Sequence, residues 1–398
     1  MPNLAILTNG GDTCALNASI EAIRKEAHRI GFAKVIGVIG GYHGLLHDNC
    51  QTLISAVEER RGGSILRSLR ESPVHLVNGK YQIDNDKVNK MVRTLKERDI
   101  DVLVVIGGDG TLQATKLFQQ SVQDRHQFKI MGFPKTIDND IRTKTHFEGI
   151  EVALCPGYPT AVRNISQATN AIRTTAVSAQ RVFGVETMGR DAGWLAAAAY
   201  IGAPGPDMIL IPEVPLDESA KQRLIQRTKM FFDNNLHVVI VVSEGTKWAD
   251  EYGNIVQIST DEFGPRKLGG VVNTVMHFIA EKLSGEFDDS KPFGVRPHHT
   301  DYVPRAGSPC EYDLKLVHIL AKKLGKLLMN RQYGRVPILR TVVPYDKLSV
   351  DCTDDLDIDE MEQMLFPAKD LYDEDRFLPN KTFADFLCTI LSGPDTER

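Results

Sequence analysis

The chain has 398 residues, a hydrophobic fraction of 42% and a formal net charge of −5. Its length is enough for two domains of roughly 100–200 residues each, and its apolar content excludes global disorder. The slight acidic excess argues against nucleic acid as the main partner. No window approaches the roughly 18 consecutive apolar residues of a membrane span.

Six cysteines are scattered along the chain without a C-x-x-C pair. Their spacing argues against a zinc ribbon or a disulfide framework and fits a reducing compartment. The N-terminal sequence MPNLAILTNGG has neither the charged region nor the long apolar run of a signal peptide. We therefore expect a cytoplasmic protein with no membrane and no nucleic-acid partner.

Short apolar runs alternate with helical patterns in the first half of the chain. Uniformly apolar strands separated by helices are typical of a parallel sheet that is covered on both faces. Strands are predicted at 4–8, 34–40, 101–111 and 129–134, and amphipathic helices are predicted around Ile20, Ile23, Ala27 and Ile30 and around Val88, Met91, Val92 and Leu95.

The alternation resumes in the second half, so a second α/β domain is expected. The sequence predicts an α/β fold of two doubly wound domains with largely parallel sheets. Beyond about residue 340 the pattern fades, and the acidic run DCTDDLDIDEMEQ favours a solvated surface segment. Strands are predicted at 181–189, 208–213 and 237–245, and helices at 217–235 and 269–285.

Three glycine or acid clusters follow predicted strands of the first half. They are TNGGDT (8–13), GGDGT (107–111) and PKTIDND (134–140). Ligands bind at the carboxyl ends of strands in open parallel sheets. Glycines allow close approach of the backbone, and N–H groups at a helix start attract anions, so a phosphate is the expected ligand. A single loop is explained equally well as a tight turn, but three loops together favour a site.

The acids of these loops fit phosphoryl transfer. Asp138 and Asp140 are two residues apart and point the same way in an extended loop, whereas Asp109 lies in a separate glycine turn. Phosphoryl transfer needs a carboxylate that takes the acceptor's proton and a carboxylate that holds Mg²⁺. Each aspartate alone is explained equally well as a helix cap or a turn former.

Four motifs occur in order: GGDGT, PKTIDND, ETMGRDAGW and RPHHTDYVPRAGSP. Together they resemble the phosphofructokinase family over about residues 4–330. The resemblance implies ATP- or pyrophosphate-dependent phosphorylation of fructose 6-phosphate at its 1-hydroxyl, a step of glycolysis. GGDGT alone also resembles NAD kinases and diacylglycerol kinases, but TIDND after GGDGT is highly specific.

The resemblance implies an active site in the cleft between the two domains. It also implies a donor-binding domain at 1–149, completed by about 304–335. Asp138 is the expected base for the sugar hydroxyl, with Asp140 beside it, and Thr136 helps to hold the reacting phosphate. Asp109 is the expected ligand of Mg²⁺, the implied cofactor. The other implied donor-binding residues are Gly11, Arg70, Gly108, Gly110, Thr111 and Lys135.

The resemblance also implies a sugar-phosphate-binding domain at 150–303, followed by a C-terminal extension at 336–398. In the family, arginines matching Arg181 and Arg296 reach the sugar phosphate of the neighbouring subunit, which implies a homo-oligomer, a dimer or a tetramer. Tyr302 replaces a histidine that is usual in bacterial members. The implied substrate-binding residues are Arg181, Met188, Gly189, Arg190, Glu244, Arg296, Tyr302 and Arg305.

The phosphate donor is predicted from two positions that disagree. Pyrophosphate-using members usually carry Asp at the position of Gly110, whereas glycine leaves space for the α-phosphate of ATP. Lys135 is the residue that pyrophosphate users have, but some ATP users carry it too. Ala114 stands where many ATP users have glycine. The sequence favours ATP with Mg²⁺, with pyrophosphate as the alternative.

Other functions remain open at this point. They are a kinase of another ketose phosphate, an NAD- or lipid-kinase-like protein, and a non-catalytic subunit. A non-catalytic subunit should have lost the base or the metal carboxylate, yet Asp109, Asp138 and Asp140 are all present.

Regulation is predicted from the first helix. Regulated bacterial members of the family bind nucleotide or phosphoenolpyruvate effectors partly through an arginine there. The matching residue in this chain is Glu21, with Lys25 one turn later. We therefore expect little or no response to ADP or phosphoenolpyruvate at that position.

Overall fold

The chain forms two compact units. A computed structural model describes residues 1–77, 80–122, 128–202, 205–250, 252, 254–256, 270–287, 290–291 and 293–391. Unit 1 comprises Met1–Thr160, Arg305–Met364 and the described residues from Thr389 onward. Unit 2 comprises Ala161–Pro304 and Leu365–Cys388. The region predicted as a C-terminal extension is thus divided between the two units.

Helices and short strands alternate along the chain. The strands are β1 (Asn3–Thr8), β2 (Lys34–Val38), β3 (Cys50–Thr52), β4 (Val74–Val77), β5 (Lys80–Ile83), β6 (Val102–Gly107), β7 (Lys129–Pro134), β8 (Thr145–Phe147), β9 (Ile150–Val152), β10 (Val182–Thr187), β11 (Met208–Leu210), β12 (Val238–Ser243), β13 (Trp248–Ala249), β14 (Ile255–Val256), β15 (Val295–His299), β16 (Arg335–Leu339), β17 (Thr353–Asp357), β18 (Tyr372–Asp373) and β19 (Leu378–Pro379). The helices are α1 (Leu16–Arg29), α2 (Tyr42–Leu46), α3 (Asn85–Glu97), α4 (Asp109–Val122), α5 (Tyr158–Ala179), α6 (Trp194–Ala198), α7 (Glu218–Asn235), α8 (Val271–Leu283), α9 (Glu311–Met329), α10 (Ala368–Leu371) and α11 (Lys381–Leu391), with short 3-10 turns at Val303–Arg305, Tyr345–Lys347, Val350–Cys352 and Ile358–Glu360.

The main sheet of unit 1 has the strand order β3-β2-β1-β6-β7. Strands β2, β1, β6 and β7 are parallel, whereas the edge strand β3 runs antiparallel to β2. All six residues of β6 are buried, as expected for a central strand that is covered on both faces. Because the parallel strands share a direction, the loops that follow β1, β6 and β7 emerge at one edge of the sheet.

The acidic run near the C-terminus differs from the prediction of a solvated segment. Strand β17, which lies within this run, pairs antiparallel with β16, and Leu356 faces Val336 in the register. Leu356, Ile358 and Met361 are buried in one apolar cluster of unit 1. Their spacing of two and three residues gives one apolar face to a segment whose composition is mostly acidic.

The main sheet of unit 2 has the strand order β11-β12-β10-β15, and all four strands are parallel. Strand β11 ends at Leu210 and so is shorter than the predicted strand 208–213. Pro212 lacks the N–H that a continued ladder needs. The predicted helix 269–285 appears as α8, although residue 269 lies outside the described residues.

The C-terminal part of unit 2 packs on the aromatic side chain of Trp194. The rings of Phe366, Phe383 and Phe386 lie with their centroids 5.1, 6.1 and 6.4 Å from that of Trp194. Trp194 is fully buried at the start of α6, so its role in helix packing agrees with the apolar pattern around it. Within the part of the chain described, none of the helices is both long and apolar enough to cross a membrane.

Candidate functional site

The loop after β1 is open to a cavity at the carboxyl edge of the unit 1 sheet. Gly10 has a φ of +84°, and a Cβ there would lie 3.1 Å from Thr111 Oγ1. The hydroxyl of Ser68 donates to the carbonyl of Gly10 at 2.8 Å. The cavity has a volume of about 320 Å³ and is lined by Gly10, Gly11, Asp12, Ser64, Arg67, Ser68 and Arg70.

The GGDGT loop turns directly from β6 into α4. Asp109 is the first residue of α4, and the Gln113 amide donates to its Oδ1 at 3.5 Å. A Cβ on Gly108 would lie 3.3 Å from the carbonyl oxygen of Lys135. A Cβ on Gly110 would instead make only an ordinary van der Waals contact, since its nearest neighbour is the Tyr81 hydroxyl at 3.9 Å.

Two hydrogen bonds join these loops to their neighbours. Thr111 is buried and donates from its hydroxyl to the carbonyl of Asn9 at 3.4 Å. Lys135 is only 2% exposed, and its ammonium donates to the carbonyl of Gly11. Burial and the nearby Arg305 guanidinium lower the pKa of Lys135 to about 8, so the group remains mostly charged at pH 7.

Residues 136–140, which we call the TIDND loop, follow β7 and Lys135. The Thr136 hydroxyl donates to Asp140 Oδ1 at 3.2 Å and accepts from the N–H of Asp138 at 3.0 Å. Asn139 has a φ of +53°. Its amide donates to the carbonyl of Ala153 at 2.6 Å. The loop is therefore held in one conformation by its own side chains.

Three carboxylates lie close enough to influence one another. Asp140 is 9% exposed. Burial and the negative charges of Asp138 and Asp109 raise its pKa to about 7. A dication would relieve this repulsion, and Mg²⁺ is commonly held by one or two carboxylates together with substrate phosphates. Among the described residues there is no group of three or more His, Cys, Asp or Glu side chains arranged to hold a metal by themselves.

Arg305, predicted as part of a sugar-phosphate clamp, lies in unit 1 against the first glycine loop. Its guanidinium donates to the carbonyl of Asp12 at 2.8 Å. A Cβ on Gly11 would lie 2.6 Å from Arg305 Nη1, so the guanidinium packs closely against this loop. Arg305 is thus brought together with the predicted donor-binding residues.

Unit 2 brings the MGR motif and Glu244 together at the carboxyl ends of β10 and β12. Gly189 has a φ of +137°, and a Cβ there would lie 2.7 Å from Ser243 Oγ. Its N–H donates to Glu244 Oε1 at 3.3 Å. A Cβ on Gly245 would overlap the carbonyl of Arg190. Met188 and Arg190 flank Gly189, half-buried and exposed respectively.

Tyr302 lies at the same edge of the unit 2 sheet. The N–H of Thr300 donates to the carbonyl of Glu186, the fifth residue of β10, at 3.1 Å. Tyr302 follows two residues later and is 70% exposed. Its hydroxyl is therefore accessible to a ligand at this edge.

Arg181 and Arg296 lie near the opposite end of the unit 2 sheet. Arg181 directly precedes β10, and Arg296 is paired with Phe183 in the register of β10 and β15. Paired residues and residues two apart share a face, so both arginines point to the same side. Seven residues separate Arg181 from Met188, which corresponds to roughly 20 Å along a strand. Both arginines therefore lie toward the other end of β10 from the MGR motif.

Sequence reasoning missed three polar residues around the unit 1 site. Gln113 lies four residues after Asp109 on α4, so helical spacing was a usable signal. Arg67 lines the cavity beside Arg70, and its φ of +57° is unusual for arginine. Gln363 donates to Asp140 Oδ2 at 3.2 Å from 223 residues away in the chain. No local pattern could have predicted that contact.

Two α/β units whose polar loops follow parallel strands define a class of proteins that bind ligands at strand ends. Within this class, the sequence profile described as Phosphofructokinase matches residues 3–328. The chain belongs to the phosphofructokinase family, which is a family of kinases.

Individual relatives and solved structures agree with this membership. ATP-dependent 6-phosphofructokinase 2 from Clostridium perfringens is 32% identical over 361 residues, covering 87% of this chain and 90% of that protein. ATP-dependent 6-phosphofructokinase from Mycobacterium leprae is 33% identical over 341 residues, covering 85% and 90%. The structure of a pyrophosphate-dependent phosphofructokinase from Nitrosospira multiformis matches with a TM-score of 0.78 at 19% identity, covering 98% of this chain and 92% of that chain. Phosphofructokinase from Saccharomyces cerevisiae matches with a TM-score of 0.66 at 22% identity, covering 98% and 50%. At these identities the two structures support the fold alone.

Proposed function

We propose that this protein transfers the γ-phosphoryl group of ATP to the 1-hydroxyl of fructose 6-phosphate, as a cytoplasmic step of glycolysis. The observation that carries the proposal is the convergence of Asp109, Asp138 and Asp140 at the edge of the unit 1 sheet where the glycine loops emerge. Gly107 and Pro134 are paired in the register of β6 and β7, so the two loops that carry these aspartates leave the sheet side by side. A carboxylate pair beside a phosphate-binding edge is the arrangement that phosphoryl transfer requires.

The donor proposal is based on Gly110 and on the relatives. The lack of any neighbour closer than 3.9 Å to a Cβ on Gly110 supports a donor as large as ATP, because an acidic side chain there would bring negative charge into that space. The relatives that are 32–33% identical are named ATP-dependent. The pyrophosphate-dependent structures share only 19% identity and bear on the fold alone.

Mg²⁺ fits the carboxylate group around Asp109, whose negative charges a dication would offset. Asp109 would hold the ion, which supplies neutralisation of charge on the transferred phosphate. Lys135, still mostly cationic at pH 7, adds positive charge beside the Gly11 loop. Arg70 at the cavity wall is suited to phosphate oxygens because its planar fork can bind two of them.

The chemistry follows from these positions. Asp138 accepts the proton of the sugar hydroxyl as that oxygen attacks the γ-phosphorus. The new O–P bond forms while the bond to the β–γ bridging oxygen breaks, and ADP leaves with the electron pair. Thr136 fixes the backbone of Asp138 through the hydrogen bond to its N–H. Asp138 thereby stays aligned without reorganisation during the reaction.

The sugar side is proposed on the loops of unit 2. The N–H of Gly189 donates to Glu244 and links these two loops. Glu244 can also accept hydrogen bonds from sugar hydroxyls. Arg181 and Arg296 lie toward the other end of β10 from these loops. We therefore propose that they bind the 6-phosphate held by a neighbouring copy of the chain, which makes the enzyme an oligomer. Tyr302 adds a proposed sugar-phosphate contact in unit 2. Arg305 lies in unit 1 against the first glycine loop, so its role in binding the sugar phosphate is proposed separately from these loops.

Replacement of the proposed base tests the function. The Asp138→Ala enzyme should lose about 10²–10⁴-fold in kcat, because proton transfer in the transition state is lost. Binding of fructose 6-phosphate, measured by calorimetry, should remain largely intact. Asp86→Ala, at an exposed aspartate of α3, is the matched control for loss of a negative charge in the same unit. Retention of more than about a tenth of wild-type turnover in Asp138→Ala would show that Asp138 is not the base.

Pyrophosphate is the second candidate donor, and Lys135 is the observation that favours it. A buried ammonium can neutralise either donor's phosphates, so Lys135 permits pyrophosphate without requiring it. Ala114 is 3% exposed in α4, and its methyl group is the feature that weighs against ATP. We place ATP first because an acidic residue at position 110 would prohibit ATP, and this chain has glycine there.

A further inference from the structure

Residues 361–364, which we call the C-terminal strap, run beside the TIDND loop of unit 1. They lie beyond residue 328, where the match to the family profile ends. Ile141 and Gln363 form an isolated antiparallel bridge. The N–H of Arg142 donates to the carbonyl of Glu362 at 3.0 Å. The strap therefore pairs with the backbone that directly follows the loop.

The strap is anchored in the core and reaches the carboxylates from there. Met361 is 2% exposed in a cluster that includes Leu112 and Ile141. Its carbonyl accepts a 3.0 Å hydrogen bond from the amide of Gln113, the same side chain that approaches Asp109. The strap thus contacts both the helix that carries the proposed metal carboxylate and the loop that carries the proposed base.

Asp140 receives two hydrogen bonds from the strap. The N–H of Met364 donates to its carbonyl at 2.6 Å, and the amide of Gln363 donates to its Oδ2 at 3.2 Å. The other carboxylate oxygen of Asp140 accepts from the Thr136 hydroxyl, which in turn accepts from the N–H of Asp138. A continuous chain of three hydrogen bonds therefore runs from Gln363 to the backbone of the proposed base.

We propose that Gln363 is a positioning residue of the active site: through Asp140 and Thr136 it fixes the backbone of Asp138. This inference rests on the proposed function, since it treats Asp138 as the reacting carboxylate. A carboxylate that is 9% exposed loses much of its hydration and depends on protein donors. Gln363 supplies one of them from a part of the chain outside the matched family domain.

Loss of the donor has a defined consequence for the loop. Without Gln363, Asp140 Oδ2 loses a hydrogen-bond donor and takes one from water instead. The carboxylate then turns, and its hydrogen bond from Thr136 to Oδ1 is weakened. Asp138 is then held less firmly, because the Thr136 hydroxyl is the acceptor of its N–H. Small displacements of a catalytic group cost catalysis more than binding, since alignment matters most in the transition state.

The test compares Gln363→Met with Gln120→Met. Methionine keeps the length of glutamine but removes the donor. Gln120 is the matched control because it is also exposed, lies in unit 1 and donates to Asp359 near the strap at 2.9 Å, away from Asp140. Both proteins are measured for kcat, for KM of each substrate and for amide hydrogen exchange of residues 135–142.

We expect Gln363→Met to lower kcat about tenfold while both KM values stay within about twofold, because a hydrogen bond to a charged group is removed at a distance from the substrates. Exchange of the TIDND loop should accelerate, and Gln120→Met should match the wild type in every measurement. Gln363→Glu should lose more kcat than Gln363→Met, because it replaces a donor by a like charge. Unchanged kcat and unchanged loop exchange in Gln363→Met would overturn the inference. A wild-type enzyme that does not phosphorylate fructose 6-phosphate would contradict the proposed function instead, and loop exchange would still decide whether Gln363 orders the loop.

Discussion

Asp140 is a buried carboxylate whose surroundings disfavour its negative charge. Burial, Asp138 and Asp109 all oppose its charge, while Thr136 and Gln363 donate to it. A carboxyl group retained under such conditions is typical of a functional site, because a structural position could use a neutral side chain at lower cost. The unfolding free energy of the free protein should therefore depend on pH through Asp140.

The Asp140→Asn variant should reveal it as a function of pH. The pKa of Asp140 rises from 3.8 to about 7 on folding, so between these values the folded protein binds a proton that the unfolded chain has released. The unfolding free energy of the wild type should therefore fall relative to that of the variant as pH rises from about 4 to about 7, and the gap should stay constant above that range.

Thermal unfolding of both proteins without nucleotide or metal measures this gap. Asp86→Asn, at an exposed position of α3, serves as the control and should track the wild type across the pH series. A gap between wild type and Asp140→Asn that does not change between pH 4 and pH 7 would show that Asp140 is not held in a charge-opposing environment.

Some residues of the candidate site could be predicted from the sequence, and others could not. Gly10, Gly108 and Asp109 were predictable because glycines and acids that directly follow apolar strands are typical of ligand-binding loops. Gln363 was not predictable, since its link to the site is a contact made by folding across 223 residues. Chemistry concentrated in one loop is visible in a sequence, whereas a contact from a distant segment is not.

At the scale of elements, helix α1 buries Glu21, the acid at the position where an effector-binding arginine is expected. Glu21 is 1% exposed and accepts from both Arg24 Nε and Arg24 Nη2 at 2.8 Å. It also accepts from the N–H of Val57 at 2.9 Å. Lys25 is paired with Glu59 at 2.6 Å. Both positions on the helix are thus engaged in ion pairs within the same unit.

We therefore predict that ADP and phosphoenolpyruvate leave the fructose 6-phosphate saturation curve unchanged at this helix. A phosphate would have to compete with Glu59 for Lys25 and would face the negative charge of Glu21. Saturation curves with and without each effector, for the wild type and for Lys25→Ala, provide the measurement. A several-fold shift of the wild-type curve that disappears in Lys25→Ala would refute this account of α1.

Some strands could be predicted from the sequence, and others could not. Strands β1, β6 and β7 were predictable because they are continuous apolar runs that end in glycine or proline or lead directly into a glycine loop. Strand β17 was not, because four of its five residues are threonine or aspartate and only Leu356 faces the core. Pairing with β16 supplies the stability that its own composition does not indicate.

At the scale of the whole molecule, the separation of Arg181 and Arg296 from the MGR loop supports the proposed oligomer. A strand's length lies between the two groups, and the proposed site that uses both draws on two copies of the chain. Closed symmetric oligomers permit such exchange because each copy gives and receives the same residues. Activity should therefore depend on which residues meet across copies.

Hybrid oligomers test the sharing of sites. Arg296→Ala and Asp138→Ala should each be nearly inactive alone. Refolded together as a random dimer, half of the assemblies are hybrid and each regains one intact site, so about a quarter of wild-type activity should return. Mixing Asp138→Ala with the Asp138→Ala/Arg296→Ala double variant is the control and should restore nothing. Activity of the first mixture no greater than the mean of its parents would exclude a shared site.

The proposed function is tested most directly by the turnover of fructose 6-phosphate with ATP and with pyrophosphate at matched Mg²⁺. We predict turnover with ATP, retained in Gly110→Ala because a Cβ there meets nothing closer than 3.9 Å. Gly110→Asp should abolish the use of ATP, because like charges in a partly desolvated site repel strongly. Efficient turnover of the wild type with pyrophosphate and none with ATP would contradict the account.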